Sequence, residues 1–208
     1  MLRYLGFSFG LMAGLIFLIA TFGLGLAVPG YDIVRQTASE IGEAGSPARW
    51  MFTAALAAVG ISLFAFAIAV GSAAFEQKRG LAGAVLISAM AISVTGVGWF
   101  AFPHPLHNTF GESQLAGYLA PLAVAIGWRG HRVSSVSWIA FGILWISVAV
   151  NLGYIGLLGD VARGELRSAL EPVYGLIQRS LFLIWFGWCA LFAALLMREE
   201  RERVRVSA

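Results

Sequence analysis

The chain has 208 residues, of which 59% are hydrophobic and 12% are charged, and its formal net charge is +3. Because soluble domains carry roughly 25% charged residues, this composition excludes a soluble globular protein and predicts an all-α integral membrane protein with a single domain over 1–208. The basic residues lie mainly in short loops and a tail, where they set orientation, so we expect the lipid bilayer as a partner and no nucleic acid.

Apolar segments that can cross a membrane, for which about 20 residues are needed, recur six times along the chain. The short connections between them predict an antiparallel bundle of six transmembrane helices. The fourth segment is the shortest, and Pro121 within it predicts a bend, because proline removes a backbone hydrogen bond. The segments are 5–28, 50–74, 81–102, 113–128, 134–157 and 173–197, followed by a tail at 198–208 that continues the last helix.

Small and polar residues inside these segments are interpreted as contacts between helices. Gly6, Gly10 and Gly14 form a GxxxGxxxG run in the first segment. Small residues let helices approach closely in lipid, and we interpret this run as packing within the chain rather than as a dimer motif. Asn151 in the fifth segment is interpreted in the same way, as a hydrogen bond between helices.

Lys and Arg are distributed unevenly between the two ends of the predicted bundle. With a cytoplasmic N-terminus, nine of them fall in inside segments and four in outside loops. This difference predicts that both termini, and the tail 198–208, are cytoplasmic. The inside residues are Arg3, Lys78, Arg79, Arg129, Arg132, Arg198, Arg201, Arg203 and Arg205, and the outside residues are Arg35, Arg49, Arg163 and Arg167.

The first outer loop has the pattern of a short helix lying along the membrane surface. Apolar residues recur at helical spacing from Tyr31 to Ile41, and polar residues fall on another face. Thr37 and Glu40 have the spacing of a capping box. Ser39 beside Glu40 also resembles a nucleophile, but it has no assignable base, so the capping interpretation is favoured.

The second outer turn, 102–114, contains His104, His107 and Glu112. Pro103 and Pro105 flank the first histidine and argue against a regular helix there. With an acidic third ligand (Glu112, Glu40 or Asp32), the two histidines would make a metal site able to activate water. The alternative is that the histidines bond the loop backbone at the membrane surface. The third outer loop, 159–171, is mixed in charge.

Arg179 is the only charged residue well inside a predicted span. It follows Pro172 by seven residues, about 10 Å into the helix. A charge at this depth is usually paired or faces a water-filled cavity. Tyr174 and Gln178 lie near it on the helix. Either it forms an outward-facing anion-binding or ion-paired site, with Glu40, Glu112 or Asp32 as partner, or it snorkels to the headgroups.

The sequence carries no motif for a larger cofactor. No P-loop, GxGxxG or GxSxG pattern is present, and no span centre carries a histidine for haem. A divalent metal at His104, His107 and Glu112 is the one cofactor considered. The identity of any cofactor stays open.

Several short motifs resemble those of the DUF998 family of bacterial and archaeal membrane proteins. They are 29–32 running on to 37–42, Phe102-Pro103 followed by His107, and the Gly-x-x-x-Arg element of Gly175 and Arg179. The resemblance implies a six-span protein of a prokaryotic plasma membrane and no established activity. It gathers Ser39, Glu40, His107 and Arg179 at one end of the bundle. Gln178 stands where the family would lead us to expect an acidic residue.

Three functions are carried forward. The first is an outward-facing pocket that binds a small polar or anionic ligand or a lipid headgroup. The second is a metal-dependent intramembrane hydrolase, and the third is an accessory subunit of a larger membrane complex with a protein partner. The candidate ligand-binding residues are Ser39, Glu40, His104, His107, Glu112, Tyr174, Gln178 and Arg179.

Overall fold

The computed structural model describes residues 2–156, 164 and 167–207, which form helices and turns without a β-strand. In this part of the chain, five helices are long and apolar enough to cross a membrane: Arg3–Ala27, Arg49–Glu76, Ala82–Trp99, Arg132–Tyr154 and Arg167–Arg203. Helices satisfy all their backbone hydrogen bonds internally, which lipid requires. The protein is therefore a multi-pass membrane protein.

The elements follow the predicted segments closely. In chain order they are α1 Leu2–Leu18, α2 Ala38–Ile41, α3 Arg49–Glu76, α4 Ala82–Trp99, α5 Pro105–Gly117, α6 Ala120–Gly127, α7 Arg132–Tyr154 and α8 Tyr174–Ser207. A π turn and a 3₁₀ turn extend α1 to Ala27. The prediction that the last helix continues into the tail is confirmed, because α8 ends only at Ser207.

Six of the described helices, α6 among them, close a ring. Around it, α3 packs on α1, α1 on α8, α8 on α7, α7 on α6, α6 on α4, and α4 on α3. Gly6 and Gly10 allow the close approach of α1, since a Cβ at Gly6 would lie 2.5 Å from the Ala69 side chain and one at Gly10 would lie 3.1 Å from Ala193. The interpretation of the glycine run as packing within the chain is confirmed.

The fourth predicted segment is not one bent helix. The segment 113–128 covers only the end of α5 and the whole of α6, which are separated at Tyr118 and Leu119. Pro121 lies in the first turn of α6 rather than in the middle of a helix. A backbone N–H in the first turn of a helix has no partner within the helix, so proline is tolerated there. The break therefore precedes Pro121.

The expectation that prolines prevent a regular helix through the histidines is right at His104, which is not helical, and wrong from Pro105 onward. His104 is the N-cap of α5 and Pro105 begins the helix, so His107 lies in its first turn. The reason is the same: proline is favoured at the first helical position, where its fixed φ suits the helix.

In the first outer loop, the helix is shorter than predicted. Only Ala38–Ile41 is helical. Before it, the Asp32 carboxylate accepts the N–H of Val34 at 2.9 Å, and the Gln36 side-chain oxygen accepts the N–H of Asp32 at 2.7 Å. Such local side-chain bonds compete with a helix. The capping box of Thr37 and Glu40 is confirmed.

The other end of the bundle is held by charged contacts. Arg3 pairs with Glu76 at 2.6 Å, and the His131 ring nitrogen lies 2.6 Å from the Glu199 carboxylate. Arg79 donates to the carbonyl of Arg129 at 2.6 Å. The third outer loop, 159–171, lies largely outside the described residues.

Candidate ligand cavity

A cavity of about 690 Å³ opens at the end of the bundle where the first outer loop, α5 and the start of α8 meet. Part of its lining is apolar and includes Phe17, Leu56 and Phe182, which are called the floor below. The lining also includes polar side chains from the three chain segments. An apolar pocket with a few convergent polar groups is the usual form of a small-molecule site.

The cavity brings together six of the eight candidate residues, from positions far apart in the sequence. Two of the eight, His104 and Arg179, do not line it. The six that do are Ser39, Glu40, His107, Glu112, Tyr174 and Gln178.

Glu40 is held firmly in the wall by the loop around it. One carboxylate oxygen accepts the N–H and the hydroxyl of Thr37, both at 2.8 Å. The other oxygen accepts the side-chain amide of Gln36 at 2.7 Å. These bonds keep the Glu40 charge at a defined position beside Ser39.

Gln178 joins the first outer loop to α8. Its side-chain oxygen accepts the N–H of Ala38 at 2.9 Å, and the N–H of Leu176 bonds the carbonyl of Val34 at 3.3 Å. An amide oxygen satisfies the first N–H of α2 here, which explains why a glutamine can stand at this position. One wall of the cavity therefore depends on docking of the loop on α8.

His107 is 8% exposed and lines the cavity. Its Nδ1 lies 2.8 Å from the carbonyl of Phe100. A carbonyl only accepts, so Nδ1 carries a proton and donates it to this carbonyl. His104 is exposed instead, and its Nδ1 accepts the N–H of Leu106 at 3.2 Å. Both rings bond the local backbone, as the alternative to the metal site expected.

Arg179 is 1% exposed and is surrounded by backbone carbonyls rather than carboxylates. Its guanidinium donates to the carbonyls of Gln36 at 2.8 Å, Gly175 at 2.9 Å and Ile33 at 3.1 Å. It also donates to the carbonyl of Thr21 at 3.4 Å. It therefore joins the end of α1, the first outer loop and α8.

Tyr31 completes this arrangement. Burial of the side chain raises the pKa of Tyr31 above its usual value. The neighbouring Arg179 guanidinium lowers the pKa, but its effect is smaller than that of burial. The hydroxyl stays protonated, donates to the carbonyl of Thr37 at 2.7 Å and accepts from Arg179.

Gly175 lets the loop backbone reach Arg179. A Cβ at this position would lie 2.4 Å from the carbonyl oxygen of Gln36 and 2.6 Å from that of Ile33. These are two of the carbonyls that Arg179 binds. The Gly-x-x-x-Arg spacing thus has a direct physical meaning: the glycine admits the carbonyls and the arginine satisfies them.

Neither expectation for Arg179 describes its surroundings. Asp32, Glu40 and Glu112, the proposed carboxylate partners, do not pair with it, and its burial excludes snorkelling. The physical reason is that a guanidinium has five donors, which several carbonyls satisfy as well as one carboxylate does. The positive charge on which an anionic ligand would depend is not in the cavity wall.

The charged groups that line the cavity are all carboxylates. They are Glu40, Glu43 and Glu112, and within the described ranges no Lys or Arg lines the cavity. The side chains of Glu43 and Glu112 form no hydrogen bond or ion pair with a described residue. Their charge is therefore available to a ligand.

Asn151 is a cavity residue that sequence reasoning assigned to helix packing. It is 7% exposed, it lines the cavity, and its amide nitrogen donates to the Ser147 carbonyl at 2.8 Å within its own helix. That bond identifies the other atom as Oδ1, which is buried and has no hydrogen-bond partner. The signal was in the sequence, because a polar residue inside a span is a functional candidate by default.

Across residues 2–156, 164 and 167–207, no group of three His, Cys, Asp or Glu side chains could hold a metal ion. The set of His104, His107 and Glu112 is therefore not assembled as a ligand triad. His104 lies outside the cavity that the other two line.

Comparison with known proteins assigns the chain to one family. The family described as "Protein of unknown function (DUF998)" matches residues 11–195, which is nearly the whole chain. The chain belongs to the DUF998 family. No curated protein and no solved structure matches the chain significantly.

The DUF998 match covers both partners of the Gly-x-x-x-Arg element and every residue of the cavity wall. In this DUF998 protein the element holds the first outer loop against α8. The loop supplies Ser39, Glu40 and Glu43 to the cavity. Arg179 is therefore a positioning residue for the wall rather than part of its lining.

Proposed function

We propose that this DUF998 protein binds a small polar ligand or a lipid headgroup in the cavity at the outer end of the bundle. One observation supports this most: a volume of about 690 Å³ in which polar side chains from three distant segments face an apolar floor. Such a lining suits an amphiphile, whose chain contacts the floor while its head meets the polar groups. No feature of the described residues favours the hydrolase or the accessory subunit over this function.

We propose further that the chain is one domain with six crossings in a prokaryotic plasma membrane, with α5 and α6 together making the fourth. Both termini would be cytoplasmic. The excess of Lys and Arg at the end opposite the cavity supports this orientation.

Orientation is tested with single cysteines. The native Cys189 is buried and is replaced by Ala, and cysteines are then introduced at Ala44 and at Gln77, which lie at opposite ends of α3. In intact cells we expect a membrane-impermeant maleimide to label position 44 and to spare position 77 until the cells are opened. The reverse pattern would place the cavity on the cytoplasmic side.

Ligand binding is tested by filling the cavity. Gly111 lines it, and a Cβ at this position meets no atom within 4 Å, so Gly111→Trp places an indole in the cavity without a backbone clash. The probes are decylamine, decyltrimethylammonium and decanoate, which share one chain length and differ in the head. We expect at least one of them to bind with a stoichiometry of one by native mass spectrometry, and Gly111→Trp to abolish this binding.

The matched control is Gly142→Trp in α7. A Cβ at Gly142 also meets no atom within 4 Å, but this residue does not line the cavity. Retained binding in this variant, together with loss in Gly111→Trp, supports the proposed function. If none of the three probes binds, or if both variants bind equally, the cavity is not the ligand site.

A further inference from the structure

We infer that the head recognised in the cavity is an ammonium group that carries N–H donors. This inference rests on the proposed function and adds the chemical class of the ligand. It follows from the charge of the lining and from one buried acceptor, which belong to different elements of the fold.

The charge of the lining comes from Glu40, Glu43 and Glu112. Glu40 is already bonded by Thr37 and Gln36, whereas Glu43 and Glu112 have no partner among the residues that the structure describes. Three carboxylates around one cavity, with no Lys or Arg in its described lining, create a negative potential. A cation is attracted to such a site and an anion is repelled.

The acceptor is Oδ1 of Asn151. It is the one buried side-chain atom of the described cavity lining that has no hydrogen-bond partner. A buried polar atom without a partner is unfavourable, and nearly all such atoms in proteins are satisfied. A donor carried by a molecule in the cavity would be the missing partner, and an oxygen acceptor requires an N–H or O–H.

These two features together select among cations. The negative charge attracts a quaternary and a primary ammonium, but only the primary ammonium offers N–H donors, both to Asn151 and to the carboxylates. A primary ammonium group occurs in membrane lipids with an amine head and also in soluble amines. Both classes of molecule therefore satisfy the requirements of the cavity. The apolar floor formed by Phe17, Leu56 and Phe182 adds affinity for the lipid form.

The chain-matched probes test the inference directly. We expect decylamine to bind at least about tenfold more tightly than decyltrimethylammonium, because only the amine donates charge-assisted hydrogen bonds to Asn151 and to the carboxylates. Decanoate is expected to bind weakest. If decanoate binds as tightly as decylamine, the ammonium assignment is overturned, while the proposed function survives because the cavity still takes an amphiphile.

Two variants separate the contribution of the lining carboxylates to binding from that of Oδ1 of Asn151. Glu112 is exposed, so Glu112→Gln leaves the fold intact, and we expect it to weaken decylamine binding about tenfold. Its control is Glu171→Gln, an exposed carboxylate at the same end that does not line the cavity, which should change nothing. Equal binding in both variants would overturn the role of the lining charge.

Asn151→Leu keeps the branched shape of the side chain and removes the acceptor. We expect this variant to lose about tenfold of the preference for decylamine over decyltrimethylammonium, and an unchanged preference would contradict the role of Oδ1. Ethylamine, which lacks the long chain, identifies the source. If ethylamine competes with decylamine at similar concentrations, the ligand is a soluble amine. If it competes only at much higher concentrations, the ligand is a membrane amphiphile with an ammonium head, and no competition at any concentration would overturn the ammonium assignment.

Discussion

Replacing Arg179 with Met should destabilise the protein by about 3–5 kcal/mol, because the carbonyls of Ile33 and Gln36 and the Tyr31 hydroxyl lose a common buried donor. Met keeps an unbranched apolar stem and has no donor, so the effect reports mainly the lost hydrogen bonds. For a chain of this size we expect the midpoint of thermal unfolding in detergent to fall by about 10 °C. The first outer loop should also become sensitive to protease.

Arg179→Lys is the matched control. It keeps the positive charge but has a single nitrogen, which cannot reach several carbonyls and a hydroxyl at once. We expect roughly half of the destabilisation caused by Met. A Lys variant as stable as the native protein would show that charge alone matters, and a stable Met variant would contradict the positioning role of Arg179.

Gly175→Ala should destabilise the protein by about 3 kcal/mol, at the upper end of the cost of overpacking. The added Cβ would lie 2.4 Å from the Gln36 carbonyl oxygen and 2.9 Å from that of Val34. Backbone atoms cannot rotate away as a side chain can, so the loop must move off α8. The movement also separates Arg179 from its carbonyls. Thermal unfolding and limited proteolysis of the loop measure both effects.

Gly187→Ala in the same helix controls for helix propensity. A Cβ at Gly187 meets no atom within 4 Å, and Ala is the better helix former by about 1 kcal/mol. We expect this variant to be as stable as the native protein or slightly more so. If Gly175→Ala behaves like Gly187→Ala, the close approach of the loop to α8 does not matter for stability.

The effects of Arg179→Met and Gly175→Ala on the free energy of unfolding should not be additive. Both act on the same contact between the first outer loop and α8, so Gly175→Ala adds little once Arg179→Met has released the loop. Loss of this contact should also weaken probe binding, since the loop supplies Glu40 and Glu43 to the cavity. Glu112→Gln, by contrast, should weaken binding without a change in unfolding, which separates a ligand contact from a positioning role.

Local sequence patterns were read correctly where near neighbours decide the structure. The capping box at Thr37 formed, and the glycine run of the first segment packs within the chain. Proline was misread twice for one reason. Pro105 and Pro121 were treated as helix breakers, although each lies in a first turn, where proline favours a helix.

Long-range contacts were less predictable. Arg179 was rightly singled out as a charge at unusual depth, but two of its partners lie 143 and 146 positions away at Gln36 and Ile33. These two partners are backbone carbonyls, which every residue has, so no side chain in the sequence identifies them. Asn151 was seen as a polar residue within a span, yet its unsatisfied oxygen appears only when the neighbouring helices are in place.

The amino-acid sequence by itself determined that this chain is a membrane protein and roughly where its long helices begin and end. It also indicated which polar residues gather at one end of the bundle. The length of the apolar runs and the short-range residue pattern decide these properties. Only the tertiary structure decided that the buried arginine holds a loop rather than facing the cavity, and that the charge of the lining is negative. These depend on how close distant segments come in the folded ring of helices, and that distance is not encoded in any one stretch of the chain.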